Sequence, residues 1–311
     1  MNPYGSGWHL DRALFDESLR DAVRDACNKT SSDCVTSGMI RGRFISVEKQ
    51  DGIWFVHTEH LDSRTTNCYR SKWVVDATGR KAVLARKVWD LAPMHSECFL
   101  TSFVVKLGAK VLKTDALLAF YSLFISSEDD NDHRTLIEAT ESGWWYTSQL
   151  AQNRRIVVYH TDDDDPSAKL ARKPDGFLDL LHNQTNHISQ TILGRNYNLP
   201  PGTKFPSCTA AGSSILDPIC DDVERWCAVG DAAMGFDPLS SQGIITALNA
   251  GCFIGEELAK RITMESERIG SDEICSIPDY FDAVGKRYEK QKKYYYSHAR
   301  FDGEFWAKRQ S

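Results

Sequence analysis

Residues 227–251 read CAVGDAAMGFDPLSSQGIITALNAG. An apolar run closes on Gly230-Asp231, a turn follows around Pro238, and a helix of small residues is expected from near Ser241. Gly243, Ala247, Gly251 and Gly255 recur every fourth residue, so that helix carries one nearly bare face. A bare face admits close packing on a sheet or on a flat ligand. Ser240 or Ser241 is expected to cap the helix. Its first free N–H groups, at the positive end of the helix dipole, suit a partial negative charge. A tightly packed core helix would also explain the small residues, though less readily the loop before them.

A second junction has the same design. Val74-Val75-Asp76-Ala77-Thr78-Gly79 again brings a strand end to small residues beside an Asp. An Asp at the carboxyl end of a strand can accept from ribose hydroxyls, and small neighbours let a ligand approach the backbone. Two ordinary strand ends with turn residues are the alternative.

The 311 residues suffice for one large domain or two ordinary ones, and 41% hydrophobic with 26% charged residues is globular composition. The net charge of -6 argues against a nucleic-acid partner. No run approaches the ~18 apolar residues of a membrane helix. The start, MNPYGSGWHLDR, lacks the apolar core of a secretory signal. Nine cysteines without a Cys-x-x-Cys argue against zinc or a disulfide framework, and point to buried thiols in a reducing, cytoplasmic setting.

Asp11 is expected to cap a helix over 12–26, with Phe15, Leu19, Ala22, Val23 and Ala26 on one face. Strand-like runs fill 34–62, with a turn at Gln50-Asp51-Gly52. Aromatic and β-branched runs from 98 to 160 predict an antiparallel sheet, and 177–192 predicts one helix with a polar outer face. The acidic run 162–165 reads as a solvated strand-to-helix turn rather than a calcium loop. His57-Thr-Glu-His60 reads as strand, not as a metal motif. A final helix over 278–296 carries a basic, solvated face.

Five pieces occur in a meaningful order: Gly7-Trp8-His9-Leu10-Asp11-Arg12 with Phe15-Asp16; residues 76–80; Gly143-Trp144-Trp145-Tyr146; Gly230-Asp231; and Asp237-Pro238-Leu239-Ser240-Ser241-Gln242-Gly243. As a set they resemble the FAD-dependent monooxygenases of the p-hydroxybenzoate hydroxylase fold. The branch most resembled contains the flavin-dependent halogenases and the halogenase-like flavoproteins that help mature quinone-cofactor amine oxidases.

The resemblance implies an α/β (α+β) fold. A partial Rossmann-like FAD-binding domain would occupy 1–92 and 208–262, an inserted antiparallel-sheet substrate domain 93–207, and a C-terminal helix and tail 263–311. It implies that Gly230 and Asp231 meet the ribose side of FAD and that Pro238, Ser241, Gln242 and Gly243 line the pyrophosphate and flavin ring. Arg12 would approach the FAD phosphates, and Asp76 and Gly79 would lie near the cofactor. Trp144 and Tyr146 are candidates for a substrate pocket, or for sheet core. NAD(P)H or a partner flavin reductase would supply electrons, and the substrate would be an electron-rich small molecule or a protein side chain.

Two departures accompany the resemblance. Gly5-Ser6-Gly7 lacks the third Gly of a Gly-x-Gly-x-x-Gly turn and follows no apolar strand, so the chain is expected to start about a third of the way into the fold. A truncated non-catalytic remnant, or a fragment of a longer product, is therefore a competing reading. A flavin-dependent reductase or dehydrogenase on the same scaffold is a third. The Trp-x-Trp-x-Ile-Pro signature of tryptophan halogenases reads Trp144-Trp145-Tyr146-Thr147-Ser148-Gln149 here, and Ser240 replaces their loop carboxylate. No catalytic acid or base is assigned.

Overall fold

The computed structural model describes residues 9–30, 38–86, 109–126, 129–267 and 275–310. Gly5-Ser6-Gly7, Trp8, Cys34, Cys98 and residues 93–108 of the expected insert lie outside the described residues. The chain opens with α1 (Arg12–Thr30), then β1 (Gly42–Gln50), β2 (Ile53–His60), β3 (Thr66–Ser71), β4 (Val74–Asp76) and α2 (Val83–Arg86). There follow β5 (Lys110–Lys113), β6 (Leu117–Ile125), β7 (Leu136–Thr140), β8 (Gly143–Leu150) and β9 (Arg154–Asp162). Three helices come next: α3 (Pro166–Ala171), α4 (Pro174–Gln184) and α5 (His187–Gly194). Short strands β10 (Ser207–Ala210), β11 (Ser214–Asp217), β12 (Cys220–Asp221), β13 (Trp226–Ala228) and β14 (Met234–Gly235) lead to α6 (Gly243–Glu267), α7 (Ile277–Tyr296) and α8 (Glu304–Gln310). The fold is α+β.

Two compact units divide the chain. One comprises Met1–Ile40, Leu117–Ala210 and Ala299–Lys308; the other comprises Arg41–Ala116, Ala211–His298 and Arg309–Ser311.

The first unit is built on a five-stranded antiparallel sheet in the order β10-β6-β9-β8-β7. Phe120, Phe124, Trp145, Val157 and Tyr159 point to one face, where they meet Ala168, Phe177, Leu181, Ile188 and Ile192 of the three helices. Trp145 stacks on Tyr159 at 4.6 Å and meets Phe177 at 5.3 Å. The acidic run is the strand-to-helix turn expected, with Asp165 accepting from Ser167 N at 2.8 Å as the cap of α3. The single helix expected over 177–192 is two. Thr185 is extended, its hydroxyl accepts from Ser189 N at 3.1 Å, and Glu138 accepts from Asn186 N at 2.6 Å and Ile188 N at 3.1 Å. Those acceptors satisfy the amides a second helix start exposes, so the break at Thr185 is stable.

Asp11 caps α1 as expected, accepting from Ala13 N at 3.1 Å. Its carboxylate also receives Arg154 at 2.7 Å. Most of α1 faces outward: Leu14, Leu19 and Val23 are exposed, and Arg12–Asp16 and Arg24–Glu17 pairs decorate the surface.

The second unit holds a meander β1-β2-β3 and two small sheets, β12-β13-β4 and β14-β11-β5. Trp54 of β2 is buried and donates from Nε1 to Glu224 O at 3.0 Å, which pins the meander to the loop before β13. Trp226, Ala228, Phe236, Ile254, Ile277, Phe281 and Tyr288 continue the same core. Ser276 caps α7 by accepting from Asp279 N at 3.2 Å. Ile277, Phe281, Tyr288, Lys292 and Tyr296 form the buried stripe of α7, at helical spacing. The expected basic face therefore has one exception: Lys292 points inward.

Candidate functional site

Strands β4 and β13 run parallel, with Val75 opposite Cys227 and Asp76 opposite Ala228. The two junctions of similar design are thus neighbours, and Val229 N donates to Asp76 O at 3.0 Å across them. Asp76 is buried, and its carboxylate accepts from Thr78 N (2.9 Å), Thr78 Oγ1 (2.6 Å), Leu84 N (3.1 Å) and Ala85 N (2.9 Å). Those bonds fold the chain over into α2 and occupy both oxygens, so Asp76 acts here as the brace of the turn. Gly79 follows at φ +69°, with open space where a Cβ would stand.

On the other strand, Gly230 adopts φ +59°, and a Cβ there would stand 3.5 Å from Ala247 Cβ of α6, in ordinary contact. A side chain there would be strained in the backbone. The turn projects Asp231 outward: its side chain is 38% exposed and one oxygen lies 3.5 Å from Arg80 Nε. The other oxygen stands 4.0 Å from where a Cβ on Gly243 would lie. Gly230, Asp231 and Gly243 therefore share one small surface.

The connecting loop is held from below. Asp237 is buried, caps the turn Pro238–Ser240 by accepting from Leu239 N at 2.9 Å, and receives the Tyr296 hydroxyl at 2.7 Å. Burial pushes its carboxyl above the ordinary range, opposed by those two donors. Arg80 donates to Gly212 O and, at 2.6 Å, to Phe236 O. The cap expected from Ser240 or Ser241 is absent. Ser240 Oγ turns back to Asp237 O at 2.7 Å, and Ser241 is the left-handed residue at φ +53° that redirects the chain into α6. The reason is that Asp237 captures the turn first. Gln242 O accepts from Thr246 N at 2.9 Å, so the helix begins at Gly243 without an acidic residue in its first turn. The leading amides of α6 have no acceptor within the helix.

This arrangement fits a dinucleotide. An outward carboxylate matches ribose hydroxyls, and a helix start without a Cβ at its first residue presents amides to a pyrophosphate or flavin carbonyl.

No family model matches the chain. LodB of Marinomonas mediterranea, named as an FAD-dependent oxidoreductase, is 24% identical over 252 residues, which cover 80% of this chain and 58% of LodB. Among solved structures, the myxobacterial chondrochloren halogenase CndH superposes with a TM-score of 0.69 at 17% identity, over 99% of this chain and 64% of that one. The fold is that of the flavin-dependent halogenases. CmlS, a flavin-dependent halogenase, gives 0.68 at 19% identity, covering 99% of this chain and 51% of its own. QhpG, a peptidyl tryptophan dihydroxylase, gives 0.64 at 18% identity, covering 97% and 59%. The chain thus spans between about half and two thirds of the length of these relatives.

Asp76, Gly79, Gly230, Asp231, Pro238, Ser241, Gln242 and Gly243 all fall in the second unit. Arg12, Trp144 and Tyr146 fall in the first. Arg12 is exposed and paired with Asp16 at 3.0 Å. Trp144 and Tyr146 share one sheet face, where Trp144 stacks on His160 at 3.7 Å. Sequence reasoning included Arg80 in the 76–80 motif without giving it a role, and did not single out Tyr288, Lys292 or Tyr296. Arg80 follows the Asp-Ala-Thr-Gly motif directly, which was a usable signal. The other three lie on a helix whose tyrosines and lysines are indistinguishable from its solvated ones until the buried stripe is known.

Among the described residues, no group of three or more His, Cys, Asp or Glu is arranged to hold a metal ion, and no helix is long and apolar enough to cross a membrane.

Proposed function

We propose that the chain binds FAD at its 230–243 segment and belongs to an FAD-dependent oxidoreductase of the monooxygenase or halogenase-like class. The observation that carries this reading is the convergence of the Asp231 carboxylate, the side-chain-free start of α6 at Gly243 and the turn at Gly230 on one surface. The relationship to LodB and the shared fold support it.

In this reading Asp231 accepts from the ribose, and Arg80 orients it from 3.5 Å. Pro238, Ser241, Gln242 and Gly243 shape the surface against the pyrophosphate and flavin ring. Asp76 braces the turn that carries Gly79, and Arg12 serves the phosphates. Trp144 and Tyr146, on one face of the antiparallel sheet, take the electron-rich substrate, a small molecule or a protein side chain as for QhpG. When bound, the flavin supplies two-electron and oxygen chemistry, with NAD(P)H or a reductase as electron source.

Titration of the purified chain with FAD, followed by visible absorbance, tests the reading. Bound flavin is expected, with affinity falling by about tenfold or more in Asp231→Ala, as for loss of a charge-assisted hydrogen bond. Absence of bound flavin at high FAD overturns it. NADH oxidation with and without oxygen then separates oxygenase from dehydrogenase.

A further inference from the structure

The loop between β14 and α6 is not held by the sheet it leaves. It is held by α7. Tyr296 donates its hydroxyl proton to Asp237 Oδ2 at 2.7 Å, and Asp237 N donates to the Tyr288 hydroxyl oxygen at 3.0 Å. One helix thus grips the same residue by its side chain and by its backbone. Positions 288 and 296 lie about two turns apart on the buried side of α7, and both hydroxyls reach Asp237.

The direction of the bonds continues inward. The one proton of Ser213 Oγ goes to the Asp115 carboxylate, so Tyr288 donates its own to Ser213 Oγ while accepting from Asp237 N. Ser213 Oγ then donates to Asp115 Oδ2 at 3.1 Å, and Lys292 Nζ donates to the same Asp115 oxygen at 2.9 Å. Lys292 also reaches Ser213 Oγ at 3.3 Å. Each of the buried polar groups named here has a partner, and the buried lysine is matched by a carboxylate. Such a network specifies one geometry, because any loop position that breaks it strands a buried polar atom. Phe236, beside the loop, packs edge-on against the Tyr288 ring at 5.0 Å and fixes that ring.

The Asp237 oxygen not held by Tyr296 is the one that caps Pro238–Ser240. The orientation set by α7 therefore passes directly to the turn, to left-handed Ser241 and to the first amides of α6.

We propose that α7 is the positioning element of the flavin loop: the hydroxyls of Tyr296 and Tyr288, through Asp237, set the conformation in which residues 238–243 receive the cofactor. This rests on the flavin reading for its consequence, but the grip itself does not. Tyr288 and Tyr296 are positioning residues; neither is placed against the cofactor.

Two measurements on the full chain separate the two claims. The variants are Tyr296→Phe and Tyr288→Phe, which keep the rings and remove one oxygen each. Tyr280→Phe, also on α7 but outside the network, is the control: its ring stacks on Phe253 of α6 at 4.3 Å. The first measurement is amide hydrogen exchange without flavin. Exchange of the peptide spanning 237–243 is expected to rise by about tenfold in Tyr296→Phe, with residues 226–229 and the control unchanged. If one variant unfolds, the other decides alone. The second is FAD affinity and the fine structure of the bound-flavin spectrum. About tenfold weaker binding and a blurred spectrum are expected in either variant, but not in the control. Loop exchange that stays at the unmodified level in both variants overturns the proposal. So does binding by the unmodified chain that both variants match in affinity and spectrum. An unmodified chain that fails to bind flavin overturns the functional reading, and the exchange result then judges the grip by itself.

Discussion

His160 lies fully enclosed beneath the Trp144 ring, and burial pushes its imidazole down to about 3. The unfolded chain takes up a proton near the ordinary value of about 6.5, where the folded chain does not. Stability is therefore expected to fall as pH drops below about 6.5, continuing toward the folded value. His160→Phe should flatten that slope, checked by urea midpoints at about pH 7 and pH 5. Asp132 has the carboxylate's version of the same sign. The Arg134 guanidinium holds it down at about 2, so its contribution is present above the ordinary Asp value of about 3.9 and is lost only in strong acid. Beside it, Arg155 and Asp130 are wholly buried and paired at 2.8 Å, with the Tyr197 hydroxyl on the same Asp oxygen at 2.9 Å. Asp130→Asn leaves a buried guanidinium without its counter-charge, and a loss of about 3–5 kcal/mol in urea unfolding is expected. None of His160, Asp132, Arg155 and Asp130 was marked by the sequence as special. An Asp in a polar turn and a His in a strand look alike whether exposed or enclosed.

At the scale of elements, glycines with opposite fates show what spacing can and cannot reveal. Gly251 and Gly255 were read correctly as one bare face of α6, yet no atom stands within 4 Å of a Cβ at either position. Ile245 and Leu248, on the same helix, are exposed. Alanine at either glycine should therefore stabilise the chain by about 0.5–1 kcal/mol through helix propensity, raising Tm in calorimetry. Gly143, at the start of β8, is the reverse: a Cβ there would stand 2.1 Å from His160 O. Gly143→Ala is expected to lower stability by about 1–3 kcal/mol by forcing the strands apart, seen as a lower urea midpoint. The split of the 177–192 segment into α4 and α5 has a similar lesson. Its apolar spacing was helical throughout, and the distant Glu138 carboxylate, with the Thr185 hydroxyl, satisfies a new helix start at residue 186.

At the scale of the whole molecule, the reading of the chain as a flavin protein predicts that FAD stabilises it by mass action. At a hundred times its Kd, FAD should raise the unfolding free energy by about 2.7 kcal/mol, and Tm with it. A scan without any shift at that concentration, for a chain shown to bind FAD, would mean that the unfolded chain binds equally well. Much of the molecule was legible beforehand. The antiparallel sheet from β6 to β9, the separate strands that end at Asp76 and Ala228, and the long helix after the Pro238 turn all follow from period, turn residues and small-residue spacing. These are local signals, carried by neighbours in the chain.

By itself, the sequence determined the strands of the antiparallel sheet, the helices α1, α6 and α7, where Gly and Asp sit at strand ends, and the resemblance of their order to a flavin-binding scaffold. The tertiary structure alone decided that the two Asp junctions lie side by side, that Asp76 is spent on bracing its turn while Asp231 faces outward, and that Lys292, Tyr288 and Tyr296 are inside. The physical reason is one of range. Periodicity and capping act over a few residues, whereas burial and pairing join Asp115 to Lys292, and Asp237 to Tyr296, across long stretches of chain that no local pattern records.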